Sequence, residues 1–456
     1  MTTLRSINPT TGQQIAVYPA LSLAESGYII QATHHAFLEW RRTDFSARSN
    51  LLRGAAMVLR QKQTEYARLM AREMGKPVAQ GRAEIEKCAW ACEYYAEHGP
   101  RFLASKPVAT DASRSFVTFQ PLGVVLAVMP WNFPFWQVFR FAAPNLMAGN
   151  SAVLKHASNV SQCALAIEKV FRQAGFPESL FRTLLIGADQ VPAVLSNPLV
   201  KAVTLTGSTP AGKAIAAQAG SLLKKSVLEL GGSDPYVVLA DADLEETVNT
   251  CVAARLINTG QSCIAAKRFI VVNSVRSNFE ELFVRKMRDR SMGDPLEEGI
   301  DLGPLARHDL RDELHRQVQL SLEAKGRLLL GGAIPVGPGA FYPPTVLTDV
   351  KKGSPAFDEE LFGPVAAIVP VKDEAEAIQA ANDSNFGLGA AVFTRDTVRG
   401  ERIAAEEIEA GCCFVNTFVK SDPRLPFGGI KESGYGRELA VFGLREFVNI
   451  KTIYVK

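Results

Sequence analysis

The amino-acid sequence predicts an α/β fold built on a doubly wound parallel sheet, and two observations lead to this prediction. First, short apolar runs at Val124–Val128, Ser151–Leu154 and Ala202–Leu205 have the composition of buried parallel strands. Second, helix-like stretches at 161–174 and 210–220 lie between or after these runs. The alternation of strand and helix is typical of a sheet with helices on both faces.

A second alternation of the same kind runs from about residue 236 to residue 425, with strands expected at 236–239 and 269–272. The chain has 456 residues, more than one ordinary hydrophobic core accommodates, so we expect two or three domains. The boundary between the two α/β units is predicted near Gly231–Gly232. Residues 22–100, which precede both units, carry apolar residues at intervals of three and four and therefore predict helices.

Two segments fit neither unit, because residues 114–119 and 450–456 alternate like half-exposed strands. Unpaired strand edges are prone to aggregation, so these strands need partners. Pairing with another subunit would supply them, and we expect a homo-oligomer.

The composition excludes several classes of protein. Apolar residues make up 47% and charged residues 21%, which is typical of a globular chain and not of a disordered one. The 50 lysine and arginine residues nearly balance the 47 acidic ones, so nothing indicates a nucleic-acid or membrane partner. Residues 1–20 lack the pattern of a secretory signal, and no run of 18 apolar residues occurs, so we expect a cytoplasmic enzyme.

The seven cysteines, at positions 88, 92, 163, 251, 263, 412 and 413, are odd in number and irregularly spaced. This pattern argues against a disulfide framework and favours reduced thiols. Cys88 and Cys92 are four apart on a predicted helix, but no second pair matches them at zinc-ligand spacing. His308 and His315 lie in a charge-rich helix and are expected to be solvated. No metal site is predicted.

Three residues have side chains suited to catalysis. Glycine and small polar residues at 258–262 permit a tight turn that leaves the Cys263 thiol accessible, although most cysteines are simply small buried residues. Glu229 lies in an apolar run, where burial would raise the pKa of its carboxyl and suit it to general-base catalysis; a salt-bridged strand end is the alternative. Asn132 follows a buried strand and could donate to an oxyanion or only cap a loop.

Residues 205–213 nearly match a phosphate-binding P-loop, since Gly207 is followed by Gly212 and Lys213 between a strand and a helix. A P-loop nucleotide hydrolase needs a hydroxyl at the next position to bind magnesium, and Ala214 has none. This hypothesis is therefore disfavoured.

Five sequence blocks together resemble the aldehyde dehydrogenase superfamily, in its order and spacing and over essentially the whole chain. The blocks are residues 130–134 (PWNFP), 228–232 (LELGG), 260–263 (GQSC), 360–364 (ELFGP) and 426–434 (PFGGIKESG). A non-catalytic relative would be expected to have lost Cys263 or Glu229, and both are present.

The resemblance implies an aldehyde-dehydrogenase-like α/β fold with three parts. These are a Rossmann-type cofactor-binding domain (1–106 and 122–231, with 432–449 returning to it), an α/β catalytic domain (232–431) and a small β bridging and oligomerisation element (107–121 and 450–456). A homodimer or homotetramer is expected.

The resemblance also implies roles for residues in the blocks. Cys263 would be the nucleophile, the Asn132 side chain and the Cys263 backbone N–H would form the oxyanion hole, and Glu229 would activate the water that hydrolyses the thioester. Relatives that transfer the acyl group to coenzyme A generally lack this glutamate, so the product should be a free acid. The implied cofactor-binding residues are Trp131, Lys155, Ser158, Gly207, Ser208, Glu360 and Phe362.

Ser158 bears on the choice of cofactor, because relatives restricted to NAD usually carry glutamate at this position. Serine removes a charge that would repel the 2′-phosphate of NADP. We therefore expect NADP to be accepted and preferred, with NAD usable; the alternative is that both bind similarly.

Arg140 and Ser421 bear on the aldehyde, because both match carboxylate-binding residues of the succinate-semialdehyde dehydrogenases, the subfamily closest in pattern. With Phe133 and Phe427 they form the implied substrate site, which would bind a terminal carboxylate through charge-assisted hydrogen bonds. An Arg140 paired with a neighbouring acid is the alternative.

The predicted reaction is therefore oxidation of succinate semialdehyde to succinate. The runner-up is a broader dehydrogenase of small aliphatic aldehydes or glutarate semialdehyde. A second arginine often found in these relatives is Ile257 here, and Arg424 is a possible replacement. Ala265 stands where some relatives have a regulatory second cysteine, so that redox switch should be absent.

Overall fold

The computed structural model describes residues 3–456 and contains both helices and strands in the predicted alternation. The α-helices are α1 (Leu23–Trp40), α2 (Phe45–Gln61), α3 (Gln63–Met74), α4 (Val78–Leu103), α5 (Trp136–Met147), α6 (Ser161–Gln173), α7 (Val191–Ser196), α8 (Thr209–Ser221), α9 (Leu244–Leu256), α10 (Asn273–Arg288), α11 (His308–Glu323), α12 (Pro355–Asp358), α13 (Glu374–Asn382), α14 (Thr397–Arg402) and α15 (Ala440–Glu446).

The strands include the five predicted apolar runs. They are β1 (Thr3–Ile7), β2 (Gln14–Pro19), β3 (Lys106–Pro107), β4 (Arg114–Pro121), β5 (Val124–Met129), β6 (Ser151–His156), β7 (Phe181–Thr183), β8 (Val200–Thr206), β9 (Lys225–Glu229), β10 (Pro235–Val238), β11 (Arg268–Val272), β12 (Arg327–Leu330), β13 (Thr345–Thr348), β14 (Val365–Val371), β15 (Phe386–Gly387), β16 (Gly389–Phe393), β17 (Cys412–Val415), β18 (Ile430–Lys431), β19 (Gly434–Tyr435) and β20 (Val448–Val455).

The first large sheet has six strands in the order β19-β9-β8-β5-β6-β7, and all neighbours are parallel except β19 and β9. Alternate residues of β5 enter different hydrophobic cores: Val125 and Ala127 pack on one face, Val124 and Leu126 on the other. This is why the strand is apolar at every position, since successive side chains of a strand point to opposite faces. The doubly wound sheet predicted from the sequence is thus confirmed.

The second large sheet has seven strands in the order β12-β13-β14-β11-β10-β16-β17, parallel except for the β12–β13 pair. It too has two cores, with Tyr236 facing one and Val237 the other. The assignment of these two units to cofactor binding and catalysis stays a prediction.

A third sheet joins β4 and β20, the two segments for which the sequence predicted strands. They pair antiparallel at all eight positions, from Arg114 opposite Val455 to Pro121 opposite Val448, and β3 pairs on the other side of β4. The segments 107–121 and 450–456, which the family resemblance groups into one element, therefore pair with each other, and both edges of β4 are filled within the chain. Only the outer edges of β20 and β3 remain open in this sheet.

Several smaller features concern the cysteines, the histidines and the helices within residues 3–456. All seven cysteines are free. His315 is not simply solvated, because its Nδ1 lies 3.1 Å from the Tyr342 hydroxyl. In the described part of the chain, no cluster of three or more His, Cys, Asp or Glu is arranged to hold a metal ion. None of the helices between residues 3 and 456 combines the length and apolar character needed to cross a membrane.

Candidate active site

The carboxyl ends of the parallel strands in the six-stranded sheet bring several predicted residues to one edge. Asn132 follows β5, Lys155 lies near the end of β6, Gly207 follows β8 and Glu229 ends β9. Strands that run parallel end on the same side of a sheet, and this side is where α/β folds bind ligands. The topology therefore gathers residues that are far apart in the sequence.

The loop that carries Cys263 has a strained backbone. Asn258, Thr259 and Gly260 have φ values of +53°, +56° and +75°. A positive φ is uncommon for asparagine and raises the conformational energy of a β-branched residue such as threonine. The Asn258 N–H donates to the Gln80 Oε1 at 2.7 Å and helps to hold the loop. A Cβ at Gly260 would lie 2.2 Å from the Gly363 carbonyl oxygen, so only glycine fits there.

Lys267 holds the backbone on both sides of Cys263. Its fully buried ammonium donates to the carbonyl oxygens of Ser262 (3.0 Å), Cys263 (2.8 Å) and Ala265 (3.1 Å). Burial raises the pKa of the Cys263 thiol to about 12, whereas the positive charges of Arg140 and Lys267 oppose this shift. Sequence reasoning missed Lys267, since nothing in the local pattern marks it as buried.

Asn132 is attached to the Cys263 loop. Its side-chain Nδ2 donates to the Gln261 carbonyl at 3.2 Å, and the Asn258 Nδ2 donates to the Asn132 carbonyl at 2.7 Å. Asn132 is 4% exposed. These bonds hold the loop after β5 against the loop of the thiol.

Glu229 is a buried carboxyl group with no hydrogen-bond partner among residues 3–456 at either oxygen. Burial raises the pKa of Glu229 well above its ordinary value, and the neighbouring Glu438 raises it further; Arg140 and Arg437 act in the opposite direction. A Cβ at Gly428 would lie 2.8 Å from the Glu229 Oε1. The 426–434 block therefore approaches the carboxyl group closely.

Arg140 is 2% exposed and forms an ion pair with Glu438, a residue that sequence reasoning also missed. Its guanidinium also lies 4.9 Å from the centre of the Phe427 ring. Pairing with a neighbouring acid, the alternative left open by the sequence, is therefore observed. Burial raises the pKa of Glu438, and the positive charge of Arg140 opposes that shift.

A cavity of about 410 Å³ lies beside Cys263. All four residues predicted for the substrate line it: Phe133, Arg140, Ser421 and Phe427. Its wall also includes Ile257, the apolar residue at the position of the second arginine of relatives.

Arg424 does not replace that arginine. Its side chain is 66% exposed and pairs with Asp422, with 2.6 Å between Nη2 and Oδ2. Lys87, from α4, does line the cavity although no motif marked it. The sequence carried no distinct signal for Lys87, since Gln80 and Glu84 on the same side of α4 are also polar.

Four of the predicted cofactor-binding residues follow or end strands β6 and β8 of the six-stranded sheet. Lys155 is 9% exposed at the end of β6, and the Ser208 side chain makes no hydrogen bond to the N-terminus of α8, which leaves both groups for an anionic or hydroxyl ligand. Ser158 is half-buried in a short 3₁₀ turn after β6. A side chain at Gly207 would meet only Leu205, at 3.6 Å, so the backbone there is open to close approach.

Glu360, another predicted cofactor-binding residue, is held in place. Its Oε1 accepts the Gly232 N–H at 3.0 Å and lies 3.6 Å from the Lys267 ammonium. Trp131 and Phe362 meet edge to face with 5.7 Å between ring centres. That these residues hold the ribose and ring of a nicotinamide dinucleotide stays a prediction.

Comparison with known proteins establishes the class. The model of the aldehyde dehydrogenase family matches residues 1–453, and the chain belongs to this family.

Particular relatives refine the comparison. The chain is 49% identical to a probable NADP⁺ succinate-semialdehyde dehydrogenase of Synechocystis sp., over 99% of both chains. It is also 49% identical to an NAD(P)⁺ succinate semialdehyde dehydrogenase of Escherichia coli, over 98% of this chain and 97% of that one. The crystal structure of succinic semialdehyde dehydrogenase from Streptococcus pyogenes with NADP⁺ superposes with a TM-score of 0.97 at 38% identity, covering 99% of each chain.

Proposed function

We propose that this enzyme oxidises succinate semialdehyde to succinate, with NADP⁺ as the preferred and NAD⁺ as a usable acceptor. The observation that carries the proposal is the cavity beside Cys263, which has cationic and hydroxyl groups on its wall at Arg140 and Ser421. The relatives of 49% identity that act on this aldehyde support the same substrate.

In the first step, the Cys263 thiol loses its proton to solvent and Sγ adds as the thiolate to the aldehyde carbon, so that the electron pair of the carbonyl π bond moves onto oxygen as an oxyanion. The Asn132 Nδ2 and the Cys263 backbone N–H are the donors that stabilise the negative charge. Asn132 is pre-positioned because its amide is already bonded to the neighbouring loop at Gln261. Donors fixed before the charge develops are worth about 3 kcal/mol each in comparable sites.

A bound nicotinamide dinucleotide would supply the acceptor for the hydride of this carbon, and loss of the hydride would leave a thioester on Cys263. Lys155 and Ser208 would hold its ribose and pyrophosphate, and Glu360 with Phe362 its nicotinamide end. Ser158 lies just beyond Lys155, where a carboxylate would repel a 2′-phosphate. Its hydroxyl can instead donate to that phosphate, which is the basis of the preference for NADP⁺.

In the last step, Glu229 takes a proton from water as the water attacks the thioester carbon. The Sγ–C bond breaks, and succinate leaves with the thiolate restored. To act as a base, Glu229 must be ionised; burial and the neighbouring Glu438 raise its pKa well above the ordinary value, and the positive charges of Arg140 and Arg437 oppose that rise and so favour the ionised form. Its position at the end of β9, with both oxygens free of partners among residues 3–456, leaves it available to water.

Steady-state kinetics with two aldehydes and two cofactors tests this proposal. We expect kcat/KM for succinate semialdehyde to exceed that for butanal by roughly 10²-fold, because butanal would leave buried donors unpaired. We also expect NADP⁺ to exceed NAD⁺ by about 10-fold, the worth of one hydrogen bond to a charged group. An aldehyde ratio near one would favour the broader aldehyde dehydrogenase, and a cofactor ratio near one would mean that Ser158 is a neutral replacement.

We also propose that the chain forms a homodimer or homotetramer in the cytoplasm. The outer edge of β20 is open, and Ile450, Tyr454 and Val455 on this strand are 61%, 51% and 46% exposed. Exposed apolar strand edges are normally covered. Light scattering on the purified protein should give at least twice the 49.5 kDa of one chain. A monomer at micromolar concentration would contradict the proposal.

A further inference from the structure

Lys87 lines the cavity beside Cys263 but belongs to none of the sequence blocks. It lies on α4, and its ammonium donates to the Ser421 Oγ at 2.8 Å and lies 4.3 Å from the centre of the Trp136 ring. The aromatic face and the hydroxyl position the charge without neutralising it.

Apart from Lys420, which is exposed to solvent, the other charged groups around this wall are already paired. Arg140 pairs with Glu438, and Arg290 lies 3.5 Å from Asp301. The carboxylates that act on Lys87 are also engaged elsewhere: Glu84 pairs with the buried Lys76, and Asp422 pairs with Arg424. Lys87 is therefore the half-buried cation whose charge remains available to a ligand in the cavity.

The hydrogen bonds of Ser421 indicate what kind of ligand fits. Its Oγ accepts from the Lys87 ammonium at 2.8 Å and from the Trp136 Nε1 at 3.1 Å. A hydroxyl has two lone pairs and one proton, so these two bonds leave Ser421 with only its proton to offer. A cation and a hydroxyl that can only donate form a site for an anionic acceptor such as a carboxylate.

We propose that Lys87 binds the terminal carboxylate of the aldehyde substrate, together with Ser421 and Arg140, and so determines the preference for carboxylated aldehydes. It supplies the second positive charge that Ile257 cannot provide. This inference rests on the proposed oxidation of succinate semialdehyde and assigns the carboxylate specificity to a particular residue.

The charge of Lys87 should depend on pH in an accessible range. Burial and, after it, the positive charge of Arg140 on α5 lower the pKa of Lys87 to about 8; Cys88 and Glu84 on its own helix and Asp422 on the facing loop oppose the shift. Lys87 is therefore charged below about pH 8 and increasingly neutral above it. The exposed Lys420 and the Arg290–Asp301 pair also face the cavity.

The test compares Lys87→Met and Lys87→Arg with the unaltered enzyme, using the ratio of kcat/KM for succinate semialdehyde to that for butanal. Lys87→Met should lower this ratio at least about 10-fold through KM for succinate semialdehyde, with kcat/KM for butanal unchanged or higher. Lys87→Arg should restore most of the ratio because it keeps the charge. Lys420→Met, which removes an exposed cation of the same cavity, is the matched control and should change the ratio less than about threefold.

The pH profile of the same ratio separates substrate binding from a structural role. In the unaltered enzyme the ratio should fall as the pH rises through about 8. In Lys87→Arg it should stay level, since arginine remains protonated. A ratio near one in the unaltered enzyme would overturn the proposed substrate. A high ratio that survives Lys87→Met, or falls equally in Lys420→Met, would overturn the role of Lys87 alone.

Discussion

The Cys263→Ala variant is expected to lose aldehyde oxidation by about 10⁴-fold or more, because no other group in the cavity can form the thioester. The structure makes this residue the accessible thiol of the site: it lines the cavity, and Lys267 holds the backbone around it. Single-turnover formation of NADPH, followed by absorbance, measures the chemical step directly. Removal of the sulfur atom leaves intact the hydrogen bonds that Lys267 donates to the backbone carbonyls around Cys263, so the fold and NADP⁺ binding should persist.

A second cysteine provides the control for this variant. Cys412 packs against the same hydrophobic core as Cys263 and is equally reduced, but it does not line the cavity. Cys412→Ala should therefore retain activity within about threefold, the scale of a small packing change. Turnover of Cys263→Ala within 10-fold of the unaltered enzyme would exclude covalent catalysis by this thiol.

The Glu229→Gln variant is expected to release its first NADPH at close to the normal rate and then to turn over about 10²- to 10⁴-fold more slowly. The amide is isosteric but cannot take a proton from water, so the thioester should accumulate. A stopped-flow burst equal to the enzyme concentration, and the mass of the acylated chain, would show this directly. The fold should tolerate the change, since neither carboxyl oxygen has a partner among residues 3–456.

Glu432 provides the matched carboxylate control, because it lies in the 426–434 block at the surface and pairs with Lys213 at 2.8 Å. Glu432→Gln should change turnover less than about twofold, as expected for an exposed ion pair. If Glu229→Gln shows no burst, so that its first turnover is as slow as later ones, Glu229 instead activates the Cys263 thiol. If turnover of the variant is unchanged, Glu229 has no role in the reaction.

The fold could be predicted from the sequence wherever the burial of a segment shows in the pattern of apolar and polar residues within that segment. The apolar runs at β5, β6 and β8 are buried on both faces and are therefore dominated by apolar residues, which identifies them as interior parallel strands. The half-exposed strand at β4 was equally visible in its alternation. The alternation alone did not identify its partner β20, because it reports which face is buried and not which strand lies beside it; only the family resemblance grouped 107–121 with 450–456.

The same distinction applies to the candidate site. Cys263, Glu229 and Asn132 lie in blocks whose local pattern is distinctive, so the sequence alone is enough to propose them. Lys267 and Glu438 could not be found in this way, since each acts through partners that the fold brings together from distant segments. The sequence also suggested Arg424 as a replacement cation, whereas its side chain pairs with Asp422 outside the cavity.

The sequence by itself determined the class of protein and predicted the nucleophile, the general base and the acidic product, because these depend on which side chains are present in recognisable blocks. Only the tertiary structure decided the electrostatics of the cavity: Arg140 is paired with Glu438, and Lys87 faces the cavity without a carboxylate of its own. The physical reason is that the interaction between charges depends on separation in space and on burial, and both are set when α4, α5 and the loop at Ser421 pack together.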